Sequence, residues 1–180
     1  VAPTDLKSQY QDELILGFEK TLGSRWNSGG KVTYRQLQSA IDDTCDSDRF
    51  VDRLAGMGLD ADTFDLPGCV IFNPGGTNTF QLRHRDGSGY TPVSMSSTDW
   101  GYDGKKAKRQ YVALDVFIEH PMADGWYGRL DYTWSRSFGN TEGQVRSDIG
   151  QSDVSKTQDW DAAALMEYAG GYLANHRRDQ

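Results

Sequence analysis

Carboxylates are the commonest chemistry-bearing groups in this sequence: Asp and Glu number 26 against 19 Lys and Arg, a net charge of −7. Two facing carboxylates could do acid–base work on a sugar linkage. Asp115 and Glu119 share one side of an alternating segment, and Asp131 lies beside Arg129 on the like side of the next. No nucleophile or oriented His accompanies them, so they read as an ion-paired or hydrated wall, and no catalytic residue is assigned. His84, His120 and His176 share no ligand spacing, which argues against a metal centre. Asp42, Asp43, Asp46 and Asp48 could offer oxygens to Ca²⁺. They lack the EF-hand spacing and its turn Gly, and read as a solvated acidic loop. NPGGTNT at 73–79 is Gly-rich but has no Lys-Ser/Thr ending to hold a phosphate. No cofactor is expected.

Cys45 and Cys69 are the two cysteines, set among Asp, Ser, Gly and Pro. Two buried thiols are one reading. A polar, loop-like setting favours a disulfide that closes a loop, and with it an oxidising or extracytoplasmic compartment. The cluster Lys105, Lys106, Lys108 and Arg109 is either a solvated face or a contact for phosphate groups. The acidic balance, with pI near 4.9, excludes a nucleic-acid partner held through its phosphate backbone.

The elements that must position these groups are strands. Leu14, Leu16 and Phe18 alternate with polar neighbours, apart from Ile15, and after a turn near Gly23 so do Trp26, Val32 and Tyr34. The arrangement returns about ninety residues later. Val112, Leu114, Val116 and Ile118 form one face, PMADG is expected as the turn with Pro121 and Gly125 as its punctuation, and Trp126, Leu130, Tyr132 and Trp134 follow. This predicts strands over about 8–20, 26–38, 110–120 and 126–137. Two long loops, 39–109 and 138–180, separate and follow them. Within the first, SDRFVDRLAGMGL reads as a short helix capped by Asp46 or Ser47, with Phe50, Val51 and Leu54 as its apolar stripe.

Both tight turns then fall on one side of the sheet and both long loops on the other. The fold class is all-β. Two architectures share its alternation: a soluble antiparallel sheet with one face on a core, and a transmembrane β-barrel with an apolar outer face and a polar lumen. Loop asymmetry favours the barrel, as do Trp26 and Trp126, each opening a strand at the height of an interfacial aromatic belt. The composition fits as well, with apolar residues at 37%, 20 glycines, nine Tyr, five Trp and seven Phe. No apolar run approaches a spanning helix.

The fourth strand and its sequel, LDYTWSRSFGNTEGQVRSDIGQSD, resemble a stretch of the barrel of TonB-dependent outer-membrane receptors, nearest to the Oar-like group. The residues that carry it are Tyr132, Thr133, Trp134, Ser135, Arg136, Ser137, Gly139, Asn140, Thr141, Glu142 and Gly143, then Ser147, Asp148, Gly150 and Gln151. Asp159, Asp161, Leu165, Gly170, Asn175, Arg177 and Arg178 fall where such receptors carry an Asn-Asp-Arg-Arg-like segment. Tyr10, Glu13, Gly17 and Glu19 resemble an upstream strand of that group, and Ala40, Ile41, Asp42 and Asp43 the top of the next. Residues 55–108 carry little of the likeness.

The resemblance implies a bacterial outer-membrane receptor that binds and imports an extracellular ligand and is not an enzyme. Its partners would be outer-membrane lipid and lipopolysaccharide, and a TonB-type energy-transducing complex reached through a plug. A family barrel has 22 strands, so four strands and no plug domain imply a fragment of the C-terminal barrel that lacks the rest. Leu14, Leu16, Phe18, Val32, Tyr34, Val112, Leu114, Val116, Ile118, Leu130, Tyr132 and Trp134 would then face lipid. The alternative is a soluble or surface-exposed antiparallel domain that binds carbohydrate or protein. It predicts Leu114, Val116 and Ile118 buried against the chain itself.

Overall fold

A computed structural model describes residues 1–141, 160, 163–166 and 169–173. In chain order the elements are β1 (Tyr10–Leu22), β2 (Trp26–Ser39), β3 (Asp42–Thr44), α1 (Asp48–Gly56), β4 (Phe64–Asp65), β5 (Val70–Phe72), β6 (Asn78–His84), β7 (Tyr90–Met95), β8 (Arg109–Ala123), β9 (Trp126–Gly139) and β10 (Gly171–Tyr172). Two short 3₁₀ turns lie at Ala61–Thr63 and Ala163–Met166. The all-β class holds, with α1 the one α-helix among the described residues.

Four long strands form an antiparallel meander, extended by β10 into a sheet of order β1-β2-β8-β9-β10. Each runs one to three residues past its expected end, and β1 also starts later than expected, at Tyr10. Side chains on a strand alternate between faces, so the register decides which groups meet. One face carries the rows Leu16–Val32–Leu114–Trp134 and Phe18–Gly30–Val116–Tyr132. The other carries Gly17–Lys31–Asp115–Thr133 and Glu19–Gly29–Phe117–Asp131. Gly29 is required where it stands. A Cβ there would lie 2.5 Å from the Phe117 ring, which lies over the bare backbone of β2.

The turn between β8 and β9 is tighter than expected. Ala123 pairs with Trp126, so the loop is Asp124–Gly125, at φ 53° and 81°. Positive φ at both positions is what a two-residue type I′ hairpin demands, and Asp-Gly meets it. Pro121 therefore does not sit in the turn. It falls within β8, at the register shift between His120 and Ala123, where a missing N–H costs no ladder bond. Across the two turns, Arg25 and Asp124 form an ion pair at 2.5 Å.

The excursion from 39 to 109 is a loop only topologically, because it folds on itself. β3 pairs with β5, and β4-β6-β7 form a three-stranded sheet. Phe50, Leu54, Phe64, Phe72, Phe80, Leu82, Val93, Met95, Trp100 and Tyr102 fill a common core, which Trp160 and Met166 complete. Rings meet there edge to face: Phe50 lies 5.3 Å from both Phe80 and Trp100. α1 stands where the apolar spacing put it, with Phe50 and Leu54 buried, but Val51 faces outward. Ser47 occupies the N-cap without a side-chain capping bond.

Two devices close this outer unit. Cys45 and Cys69 form the expected disulfide, with Cα atoms 4.0 Å apart and 24 positions between them. Chain-entropy reasoning for that separation gives about 3 kcal/mol. Reduction, or paired Cys→Ser substitution, should lower the unit's stability by that order, read by urea titration of the near-UV aromatic signal. No change in the midpoint would mean that the unfolded loop is already constrained.

The second device is Asn73. Its side chain accepts from the Lys7 amide (2.7 Å) and donates to the carbonyls of Lys7 (2.9 Å) and Ala40 (2.7 Å), while its own amide donates to Asn78 Oδ1 (2.8 Å). Asn73 and Asn78, the buried asparagines of the Gly-rich stretch at 73–79, thus fasten the N-terminal segment and the end of β2 to the outer unit.

Candidate functional site

The chemistry of the molecule lies on the two faces of the long sheet and at their outer end. All twelve residues expected to face lipid fall on one face. Ten of them are exposed, among them Leu114, Val116 and Ile118 at 39, 39 and 38%. Tyr34 and Val112 are half-buried at the outer end, where the Tyr34 hydroxyl donates to Gln36 and accepts from the Gln110 amide, both at 2.9 Å. Nothing among the described residues covers this face. The burial that the soluble alternative requires for Leu114, Val116 and Ile118 is not found. Contiguous apolar rows across four strands are far more than scattered exposed side chains, and such a surface needs an apolar medium or partner.

At the tight-turn end the same face closes on an aromatic cluster. The His120 ring stacks on Trp126 at 3.8 Å and 10°, and Trp26 meets both edge-on, at 5.0 Å and 5.7 Å. Sequence reasoning placed the two Trp residues at strand starts but missed His120, which is the piece that joins them. Its position on the Trp face of β8 was the available signal.

The opposite face pairs its charges. Glu13 bonds Arg35, and Lys31 lies 3.5 Å from Asp115, which also accepts from the Thr133 hydroxyl at 2.6 Å. Arg129 bonds Glu119 and Asp131, each at 2.9 Å, and its guanidinium lies over the Phe117 ring at 4.7 Å. The carboxylates that looked like an acid–base pair are thus committed to cations. Exposed pairs of this kind contribute little stability each; their effect is a wetted, near-neutral surface on one side of a sheet that is apolar on the other.

At the outer end, among Lys105, Lys108, Gln110, Arg136, Phe138, Asn140 and Tyr172, lies a cavity of about 620 Å³. The resemblance-bearing residues Tyr132, Thr133, Trp134, Ser135, Gly139 and Asn140 run up β9 to its floor. Thr141 is buried just beyond. Glu142, Gly143, Arg177 and Arg178 lie outside the described residues, as do Ser147, Asp148, Gly150, Gln151, Asp159, Asp161 and Asn175.

The acidic cluster of the outer unit is not a solvated loop throughout. Asp42 is buried on β3, and Asp46 accepts from Arg49 at 3.1 Å. No group of three or more candidate metal ligands converges among the described residues. Asp99 accepts from the Ser96 amide (2.7 Å) and hydroxyl (2.6 Å), near Arg53 at 3.7 Å. Partial burial pushes its pKa up, but those bonds and Arg53 outweigh it and hold the carboxyl below its ordinary value. A depressed folded pKa stabilises above the unfolded value, near 4, and that contribution disappears as pH falls through the folded one. Asp99→Asn should therefore flatten the acid limb of the outer unit's stability curve below about pH 4 and cost about 1 kcal/mol at pH 7. Acid titration of both proteins by circular dichroism checks it, and superimposable curves would contradict it.

No family model matches the chain, and no solved structure does. The chain is 28% identical over 181 residues to the TonB-dependent transporter Oar of Myxococcus xanthus, an alignment that covers 98% of this chain and 13% of that protein. The likeness supports a relationship to TonB-dependent receptors, and the chain spans about an eighth of that relative's length. No helix among the described residues is long and apolar enough to cross a membrane.

Proposed function

We propose that the chain is a section of the wall and outer surface of an outer-membrane, energy-coupled receptor that binds and imports an extracellular ligand. β1, β2, β8 and β9 cross the bilayer. Their apolar rows face lipid and the paired charges face the lumen. The outer unit, closed by its disulfide, forms part of the ligand vestibule. The observation that carries this reading is the exposure of the Leu114, Val116 and Ile118 face beside a charge-paired opposite face. A soluble domain would bury the first.

The sheet edges at β1 and β10, open among the described residues, imply neighbouring strands, since unpaired backbone groups cannot be satisfied in lipid. The remainder of the barrel would supply them. A plug would close the lumen and reach the TonB-type energy-transducing complex. Aromatic side chains and paired charges suit recognition of a polar extracellular molecule, and the reading assigns the chain no catalytic chemistry.

Sidedness tests it. Lys106, beside the outer unit, and Lys20, near the tight turns, are both exposed. On intact cells a membrane-impermeant amine reagent should label Lys106 and leave Lys20 until the outer membrane is opened. Equal labelling of both on intact cells, or recovery of the chain in the soluble fraction, contradicts the proposal.

A further inference from the structure

The apolar rows of the long sheet have a medium on the reading of that sheet as a membrane wall; the exposed apolar side chains of the outer unit do not. Between residues 42 and 108 the large ones are Val51 (41%), Met57 (41%), Leu59 (36%) and Tyr90. Three of these four lie on α1 and the turn that closes it. Val51 and Ala55 share an outward stripe of the helix, at i and i+4. Met57 is the C-cap, and Gly58 at φ 74° turns the chain back. The Leu59 amide then donates to the Leu54 carbonyl (2.9 Å) and the Gly58 amide to that of Ala55 (3.0 Å). These are the paired bonds of a Schellman close, the geometry that lays the side chain after the glycine along the last turn of the helix. The patch is rigid before anything binds it, so little ordering opposes binding.

Negative charge borders this patch. Residues 46–65 hold six Asp and two Arg. Arg49 meets Asp46 at 3.1 Å, Arg53 meets Asp99 at 3.7 Å, and Arg85 reaches Asp65 at 3.8 Å. Asp48, Asp52, Asp60 and Asp62 are exposed and form no ion pair among the described residues. Asp48 and Asp52 flank Val51 on its own stripe of α1. Asp60 caps the 3₁₀ turn that packs against the helix, and Asp62 lies within it, so both follow Leu59 closely. The C-terminal end of the helix adds partial negative charge of its own. Asp48 and Asp52, four positions apart, repel each other and weaken the helix that carries them, a cost that a bound cation removes.

We infer that this patch docks a basic amphipathic polypeptide segment, with apolar side chains on Val51 and Leu59 and lysines or arginines toward the four carboxylates. The charge selects the occupant. An anionic membrane surface is repelled by it, and a polyamine would answer the carboxylates but leave the apolar groups bare. The nine residues of α1 span about 14 Å, a length over which a short stretch of polypeptide presents apolar and basic side chains in alternation. That the segment belongs to the extracellular ligand rests on the reading of the outer unit as part of the vestibule; the docking itself does not.

The test is fluorescence anisotropy of a short synthetic peptide with leucines between flanking lysines, titrated with the full chain in dodecyl maltoside. Two companion peptides replace the leucines by serine or the lysines by glutamate. The basic, leucine-bearing peptide should bind, and each companion should bind about tenfold more weakly. Val51→Ser should weaken binding about tenfold, the effect of losing one apolar anchor. Asp48→Asn, Asp52→Asn and Asp62→Asn together should weaken it by about as much, and added salt should lower the wild-type affinity. All four positions are exposed, and an unchanged near-UV aromatic signal verifies the fold of each variant. Asp12→Asn on β1 should change nothing. No binding by the wild type, or equal binding by wild type and variants, overturns the inference and leaves the membrane wall standing. So does a serine companion bound as tightly, which would mean cation exchange only, or a glutamate companion bound as tightly, which would mean capture by detergent or by the apolar face of the sheet. The expected losses in a chain that cell fractionation finds soluble support the docking and remove the wall alone.

Discussion

Val116→Arg should abolish assembly into the membrane while Thr133→Lys leaves it intact. Val116 lies seven residue positions before the end of β8 at Ala123, close to the middle of the apolar face, between Gly30 and Tyr132. A guanidinium at that depth on the lipid side of a barrel costs about 2–4 kcal/mol. Thr133 is at almost the same height on the other face, where it bonds Asp115, so a new ammonium there gains a carboxylate. For a sheet in water both substitutions would lie near zero, because Val116 is already 39% exposed. The contrast between faces at one height therefore measures the medium and not the fold. Fractionation of outer membranes, scored by the fraction of chain resisting alkaline extraction, gives the comparison. Equal behaviour of the two variants would contradict a lipid-facing Val116.

Trp100→Ala should unfold the outer unit and spare the sheet. Trp100 is 1% exposed and touches Phe50, Phe72 and Phe80 with ring centroids at 5.3, 5.6 and 6.1 Å. It joins the helix to two separate small sheets. Removal of a buried Trp costs about 3–5 kcal/mol, a large share of the stability of a unit this small. The long sheet has none of its rows in that core, so amide exchange should accelerate across 42–102 and stay slow in β8 and β9. Uniform acceleration in both regions would mean that the two parts unfold as one.

The four long strands were legible because a sheet with one apolar and one charge-bearing face alternates with period two over its whole length. Leu114, Val116 and Ile118 keep that pattern without a break. The outer unit was not legible for the opposite reason. Its strands run from two to seven residues, and Phe64, Phe72 and Phe80 meet through turns, not along one element. Only α1 was long enough for its spacing to speak, and even there Val51 faces outward although it shares the apolar stripe. Pro121 was read as a turn residue because punctuation in PMADG is ambiguous. The ladder shows that the two positive-φ residues, Asp124 and Gly125, make the turn alone.

The site divides in the same way. The residues of the apolar face and the cysteine pair followed from local pattern. The basic cavity did not, because Lys105 and Arg136 lie 31 positions apart and converge only when the start of β8 pairs with the end of β9. Tyr172 joins them through β10, a two-residue strand with no periodicity to detect. The ion pairs of the polar face stood in the sequence as unassigned charges. Register assigned them, since it sets Asp115 across from Lys31 and Glu119 across from Arg129.

Spin labels placed singly at every position from 112 to 119 of β8, in the chain assembled in membranes, test the central claim most directly. Oxygen partitions into the bilayer and a nickel chelate stays in water, so their relaxation effects report the medium at each site. Labels at 112, 114, 116 and 118 should favour oxygen, and those at 113, 115, 117 and 119 the chelate, in strict alternation. Chelate access at all eight positions, or protection of the even positions from both reagents, would contradict a wall with lipid on one face and water on the other.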